Sequence, residues 1–472
     1  MNDTIAAIST PLGEGAIALL RVSGPHAVEL ADAVFRGKTL AGALAARVQQ
    51  FGAIHDGEHK LDDVLLTVFR APHSYTGEDT VEIACHGGVL VTRRILELLL
   101  KCGARSAEPG EFTQRAYLNG KMDLTQAEAV MDLITAQTDL ALRAASEQLE
   151  GRLGERIRAL RERLLELLAH VEAFIDFPDE DIDPDTGAAL LKKLAAARTE
   201  IEALLATAHE GRVLREGVRT VIYGVPNVGK SSLLNLLLGY ARAIVSARPG
   251  TTRDVIEEVI NLRGYPLRLV DTAGLRESDD EVEREGMART RRQLERADLV
   301  LQVVDASAPP RGADAPSATV PAGAPPADAS TDGGVRRTTA NVASAPRGAA
   351  LLVLNKSDLG EHPGWRGVEG VRISCLKNAG LTQLEDAIIA RITGGHAAHR
   401  DWSVAINARH HACLAKALEY SNAARRALDD GLSPEFVAEE LRGALDAVGE
   451  VVGKADSEEI LGKIFSTFCI GK

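Results

Sequence analysis

The stretch Gly224-Val225-Pro226-Asn227-Val228-Gly229-Lys230-Ser231 reads as a phosphate-binding loop, and this reading decides the fold around it. It stands between Thr220-Val221-Ile222-Tyr223, a β-prone run that predicts a buried strand, and Ser231 to Leu238, which predicts a helix. Glycines between a strand and a helix let backbone N–H groups close around phosphate oxygens at the positive end of the helix dipole. Lys230 would reach the β- and γ-phosphates, and the Ser231 hydroxyl would ligate Mg2+. Val228, Gly229 and Ser232 complete the loop's share of the site. A glycine-rich turn by itself needs neither the lysine nor the serine at these offsets.

Three further elements follow in order: Gly250-Thr251-Thr252, Asp271-Thr272-Ala273-Gly274 and Asn355-Lys356-Ser357-Asp358. Thr251 or Thr252 is the candidate switch threonine, contacting Mg2+ only while the γ-phosphate is present. Asp271 follows the run Pro266 to Val270, at a strand end where a carboxylate can hold the metal's water shell. Gly274 is placed to report the γ-phosphate through its backbone N–H. Asp358 can accept two hydrogen bonds from a guanine edge, which adenine cannot supply, and a buried polar group left unpaired discriminates strongly. Together these elements imply a bound and hydrolysed GTP. Ras-like GTPases orient the attacking water with a glutamine after the third element. Here that place holds Leu275, so catalysis must be arranged differently or be very slow.

A chain of 472 residues should form more than one domain, since single cores stop growing near ~250–300 residues. Apolar (45%) and charged (26%) fractions are those of an ordinary soluble protein. The first residues lack the basic start and apolar core of a signal peptide, and no apolar run approaches the ~18 residues of a membrane helix. Cys85, Cys102, Cys375, Cys413 and Cys469 are scattered without metal-ligand spacing, which suits a reducing cytoplasm. The net charge of −13 argues against non-specific nucleic-acid binding, though not against an RNA held by a local surface.

Residues 1 to about 118 mix β-prone runs (Ala16 to Val22, Val64 to Phe69, Val81 to Ala84) with a helix near Val89 to Lys101, as in an α+β unit. From Asp123 long helices are expected, the first opened by an Asp123/Gln126 capping box. Ile157, Leu160, Leu164, Leu168 and Val171 form one apolar stripe at helical spacing. Acids and two prolines at 176–185 break the pattern, and a further helix is expected from Ala188 to about His209. Helical sequence resumes over 406–466, with apolar Leu414, Leu418, Leu441, Leu445 and Val448. A GTPase domain inserted into a helical domain accounts for this order; a linear three-part string is the alternative. Residues 306–349 hold seven of the chain's eighteen prolines and read as a low-complexity loop where a crossover helix would normally lie. At the end of the chain, Ile464, Phe465, Phe468 and Ile470 form an apolar cluster expected to dock the tail.

With these motifs in view, the sequence resembles the MnmE (TrmE) family of tRNA-modification GTPases over nearly its whole length. The most specific parts lie outside the GTPase unit: Thr76-Gly77-Glu78-Asp79, His86-Gly87-Gly88, the run from Pro109 through Glu111-Phe112-Thr113-Gln114-Arg115 to Leu124, Phe174 to Pro178, and the terminal Cys469-Ile470-Gly471-Lys472. The resemblance implies a multidomain α/β and α fold. A folate-binding and dimerisation domain would occupy 1–120, a discontinuous helical domain 121–216 and 393–472, and a Ras-like, mostly parallel GTPase domain 217–392.

It also implies site residues. Arg21, Glu82, Lys121 and Lys472 match the folate-contact positions, for 5-formyl- or 5,10-methylene-tetrahydrofolate, and Cys469 would lie near the one-carbon unit. Taken alone, Arg21 and Lys121 read as solvated charges, and Glu111 with Arg115 as a local ion pair. K+ would activate hydrolysis, held by the Asn227 side chain and carbonyls of Ser246 and Arg248, with Thr251 close by and Thr252 on Mg2+. Glu283 would orient the attacking water, with Glu281 and Glu285 as alternatives in the same acidic run, and Arg276 would fix the closed switch. The guanine-contact loop is Ser374-Cys375-Leu376-Lys377, with cysteine where the family usually has alanine. The implied partners are a second copy of the chain, tRNA and an MnmG-type flavoprotein that carries FAD, in a cytoplasmic heterotetramer modifying C5 of the wobble uridine. A ribosome-assembly-type regulatory GTPase is the competing class; it would carry an RNA-binding module, where this chain has helices and an acidic stretch from Glu435 to Glu440.

Overall fold

Alternation of buried and half-exposed residues marks the central strands of the first sheet. In the strand Gly15–Ser23, Ala18, Leu20 and Val22 are buried on one face while Leu19 and Arg21 occupy the other. The computed structural model describes residues 3–176, 188–240, 243–244, 257–270, 292–310, 349–394, 405–453 and 458–471. Strands β1 (Ile5–Ile8), β2 (Gly15–Ser23), β3 (Phe35–Gly37), β4 (Gln49–Asp56), β5 (His59–Phe69), β6 (Thr80–Gly87) and β7 (Arg105–Ser106) form a seven-stranded sheet of order β3-β4-β5-β6-β2-β1-β7. All its pairings are antiparallel except β1 with β7. The helices Ala27–Val34 and Val89–Lys101 cover one face, packing Leu30, Val34, Ile95 and Leu99 against Leu20, Val22, Leu66 and Ile83. The opposite face carries Arg21 directly across from Glu82.

The helix Glu111–Leu118 is held by a buried charge network. The Arg115 side chain is only 1% exposed; it donates to Asp3 Oδ1 at 2.7 Å, to Glu111 Oε1 at 2.9 Å and to Glu78 Oε1 at 3.2 Å. Burying a guanidinium is tolerable only with such partners. Glu111 with Arg115 is thus an ion pair, one part of a larger cluster that also takes in Arg105.

The helix Leu124–Thr135 opens on the expected capping box. Asp123 Oδ1 accepts from the Gln126 N–H at 3.0 Å, and Gln126 Oε1 accepts from the Asp123 N–H at 3.0 Å. Asp123→Ala should lower stability by about 1 kcal/mol, read as a fall in the urea midpoint at unchanged slope. An unchanged midpoint would show the cap to be dispensable.

Helices Arg152–Asp176, Ala188–Leu205, Ala408–Asp429 and Pro434–Val452 share one core. The stripe Ile157, Leu160, Leu164, Leu168 and Val171 is buried there beside Leu194, Ile201, Leu414, Leu441, Leu445 and Val448. Each such side chain contributes roughly 1.5–3 kcal/mol on burial. The helix from Ala188 ends at Leu205, short of the His209 expected from sequence, and a new helix starts at Ala208. Where the chain re-enters this core, Asn407 caps the Ala408–Asp429 helix, and Glu128 accepts from Asn407 and Arg409 and lies 2.6 Å from His410 Nε2. Burial opposes ionisation of Glu128, but His410 and Arg409 outweigh it and hold the carboxyl well below the ordinary range.

The tail docks as the apolar cluster predicts, with one difference. Phe465 and Phe468 are buried, their ring centroids 5.3 Å apart. A β-carbon on Gly110 (φ +70°) would fall 2.8 Å from Phe465 O, so glycine is needed for this approach. Ile470, however, is 58% exposed and contributes backbone instead, bridging Pro109, while Gly471 O accepts from Ser9 Oγ at 3.1 Å.

In the second unit, continuous apolar runs form strands buried on both faces. Strands β8 (Val218–Tyr223), β9 (Ala243–Ile244), β10 (Glu257–Leu262), β11 (Tyr265–Val270), β12 (Leu299–Asp305), β13 (Ala349–Asn355) and β14 (Val371–Arg372) make a sheet of order β14-β13-β12-β8-β11-β10-β9. β8, β11, β12, β13 and β14 run parallel; β9 and β10 add an antiparallel edge. By contact density this unit comprises 136–142 and 209–402, and the first comprises 1–135, 143–208 and 403–472. Of the proline-rich loop, 311–348 lie outside the described residues. Among the described residues, no helix is long and apolar enough to cross a membrane.

Candidate functional site

Strand β8 lies between β11 and β12 although β9 to β11 follow it in sequence. The strand order therefore reverses beside β8, and ligands of open α/β sheets bind at the carboxyl ends of the strands flanking such a point. The loop 224–229 leaves that end of β8, and the helix Lys230–Tyr240 begins directly after it. Asn227 adopts a left-handed φ of +66°, a conformation that asparagine tolerates better than most residues. Gly229, at φ +98°, leaves no room for a β-carbon, which would collide with Asn355 Nδ2. Lys230 Nζ donates to Val225 O at 3.0 Å, across the loop it would serve. Ser231 and Ser232 are exposed at the helix start.

One side chain closes the site. Asn355, at the end of β13 and 2% exposed, donates to Val228 O at 2.8 Å and accepts from the Cys375 N–H at 3.2 Å. It thereby ties the phosphate loop to the loop expected to contact guanine. Lys356, at φ +63°, pairs with Asp305 at the end of β12, Nζ to Oδ2 2.7 Å. Burial works against the Asp305 charge, yet Lys356 and Ser307 more than offset it and lower its pKa. Asp358 Oδ1 accepts from Ser374 Oγ at 2.6 Å, and Ser374 Oγ in turn accepts from the Lys377 N–H at 3.1 Å. The Ser374 bond, with Lys377 nearby, lowers the Asp358 pKa, keeping it an ionised acceptor at neutral pH. Burial pushes the Cys375 thiol up to about 11, so the cysteine sits in this loop as a neutral group.

Of the remaining switch positions, Ser246, Arg248, Thr251, Thr252, Asp271, Thr272, Ala273, Gly274, Leu275, Arg276 and Glu283 lie outside the described residues. In the first unit, Arg21 and Glu82 are brought together at 2.8 Å, while Lys121 Nζ donates to Pro72 O at 2.9 Å. Cys469 is exposed, and its carbonyl accepts from the Gly110 N–H at 3.4 Å. Lys472 is outside the described residues. Sequence reasoning missed Asp305 as the partner of Lys356, and missed Tyr75 and Phe112, whose rings lie over the Arg21 guanidinium. Asp305 carried a signal, since it ends an apolar run as Asp271 does. The two aromatics had none without strand register.

A phosphate loop after β8, with Asn355, Lys356 and Asp358 at the end of β13, defines a P-loop GTPase. A family model described as the MnmE helical domain matches residues 124–469, and one described as the GTP-binding protein TrmE N-terminus matches 4–121. The tRNA modification GTPase MnmE of Akkermansia muciniphila is 51% identical over 475 residues, covering 99% of each chain. The proteins of that name from Natranaerobius thermophilus and Geobacter metallireducens are 44% and 45% identical, each over 100% of both chains. The chain belongs to the MnmE family. Among solved structures, the G domain of the T. maritima FeoB iron transporter is 23% identical and covers 37% of this chain and 98% of its own, with a TM-score of 0.24 that adds nothing to the sheet order above.

Proposed function

We propose that this GTPase modifies tRNA: with an MnmG-type flavoprotein carrying FAD, it installs a carboxymethylaminomethyl-type group on C5 of the wobble uridine, using a one-carbon folate. The observation that carries this reading is identity of 44–51% along whole chains with proteins named tRNA modification GTPases; the group installed, the folate and the flavoprotein follow from the family resemblance. The first unit supports it with chemistry suited to a folate. A pterin edge wants a carboxylate, here Glu82 steadied by Arg21, and a glutamyl tail wants cations such as Lys121 and Lys472. Cys469 belongs on the tail that reaches this unit. The working form is a cytoplasmic homodimer, joined through residues 1–120 and completed by the flavoprotein as a heterotetramer. The helical domain is assigned to residues 121–216 and 393–472 and the GTPase to 217–392, although 136–142, 209–216 and 393–402 group with the GTPase unit in the fold.

Mg2+ suits Ser231 and Thr252, with Asp271 on its water shell. A K+ ion suits Asn227, whose exposed side chain has no hydrogen-bond partner among the described residues. The K+ would supply positive charge where negative charge accumulates during hydrolysis. Ser246, Arg248 and Thr251 would complete its set of uncharged oxygens.

Mass spectrometry of tRNA nucleosides from cells lacking the protein should show the modified wobble uridine gone; an unchanged nucleoside profile would refute the reading. In vitro, GTP turnover should be about tenfold or more faster in KCl than in NaCl, and Asn227→Ala should erase the difference. Equal rates in the two salts would remove K+ from the site.

A further inference from the structure

The Arg21–Glu82 pair leaves hydrogen-bonding capacity unspent. An arginine–carboxylate pair commonly forms a two-pronged fork that uses both carboxylate oxygens. Here Arg21 Nε and Nη2 both donate to Glu82 Oε1, at 3.0 and 2.8 Å. Among the described residues, Glu82 Oε2 and Arg21 Nη1 have no hydrogen-bond partner. The side chains are 12% and 23% exposed, so the pair is only partly hydrated.

Two aromatic rings accompany this one-oxygen arrangement. The central carbon of the guanidinium lies 5.1 Å from the centroid of Tyr75 and 5.6 Å from that of Phe112, within range for attraction to both ring faces. One helix sets both rings. Phe112 is a fully buried member of Glu111–Leu118, and the Tyr75 hydroxyl bonds Thr113 Oγ1 of the same helix at 2.8 Å. Burial raises the Tyr75 pKa against the smaller pulls of Thr113 and Arg21, so the ring stays neutral. The loop bearing Tyr75 is tied down on either side: Lys121 holds Pro72, and Asn119 Nδ2 donates to Thr76 O at 2.7 Å.

We propose that Tyr75 is a positioning residue for ligand recognition at Glu82. With Phe112 it clamps the Arg21 guanidinium, keeping it from closing onto both carboxylate oxygens. Glu82 Oε2 is thereby kept as an acceptor for a flat heterocycle carrying N–H donors. The inference rests on the folate reading above, in which that heterocycle is a pterin. Without the ring, Arg21 is free to form the two-pronged fork, and its second prong competes with the ligand.

Calorimetric titration of the full-length protein with 5-formyltetrahydrofolate tests this. Tyr75→Leu should bind about tenfold more weakly, and Tyr75→Phe, which keeps the ring face, should bind within about twofold of wild type. Should Tyr75→Leu fail to fold, Tyr75→Met carries the same expectation. Wild-type affinity in the ringless variant overturns the proposal, as do equal losses in the Leu and Phe variants. Glu82→Gln separates the two readings. If it binds folate normally, the folate reading itself fails at this pair. If it loses binding while the ringless variant does not, the clamp alone fails.

Discussion

Asp358→Asn should weaken GTP binding by about a thousandfold and raise affinity for xanthosine triphosphate. A carboxylate there can accept from both N–H donors of a guanine edge, whereas an amide presents a donor in place of one acceptor and so suits the C2 carbonyl of xanthine. Asp358 also holds the Ser374 hydroxyl at 2.6 Å, and an asparagine oxygen can keep that bond. The substitution therefore changes the edge that meets the base while leaving the loop closed over Asn355. Titration with fluorescent GTP and XTP analogues reads the effect directly. A variant that still prefers GTP by more than tenfold would mean that base selection lies elsewhere, with the backbone of 374–377 the first place to look.

Glu283→Ala should lower kcat by about a hundredfold or more with little change in GTP affinity, the pattern of an interaction made only in the transition state. The need arises at Leu275, where a side chain without polar atoms stands in the place of a water-orienting glutamine. The acidic run Asp280-Glu281-Val282-Glu283-Arg284-Glu285 offers replacements, and the family resemblance selects Glu283. Single-turnover hydrolysis under saturating GTP separates chemistry from binding. If Glu281→Ala has the larger effect, the register of this segment is displaced by two residues.

Local periodicity made much of the fold legible. The run Val89 to Lys101, the stripe from Ile157 to Val171 and the Asp123/Gln126 box each depend on neighbours a few residues away, and each is found where expected. The two-residue strands β7, β9 and β14 are too short to carry a period, and exist because longer strands beside them offer unpaired edges. The Arg115 network joins Asp3, Glu78 and Glu111 from three separate segments, so only the i,i+4 pair with Glu111 could be read. At the nucleotide site, Asn355 was legible as part of a motif, but its grip on Val228 and Cys375 is a product of the sheet order, which sets β13 beyond β12 from β8. Likewise Arg21 and Glu82 were readable as charges, while their register, and the rings over the guanidinium, belong to the folded sheet.

The core shared by Leu164, Leu204, Leu414 and Val448 has a consequence for biogenesis. Roughly 200 residues separate its first half from its second. At ~5–20 residues per second a ribosome needs about 10–40 s to cross that interval. During that time the apolar stripe of Arg152–Asp176 has emerged without the helices that complete its packing. Nascent chains should therefore be vulnerable to proteolysis and to association with one another in this window. Holdase binding to 150–205 would protect them until Ala408–Asp429 leaves the exit tunnel.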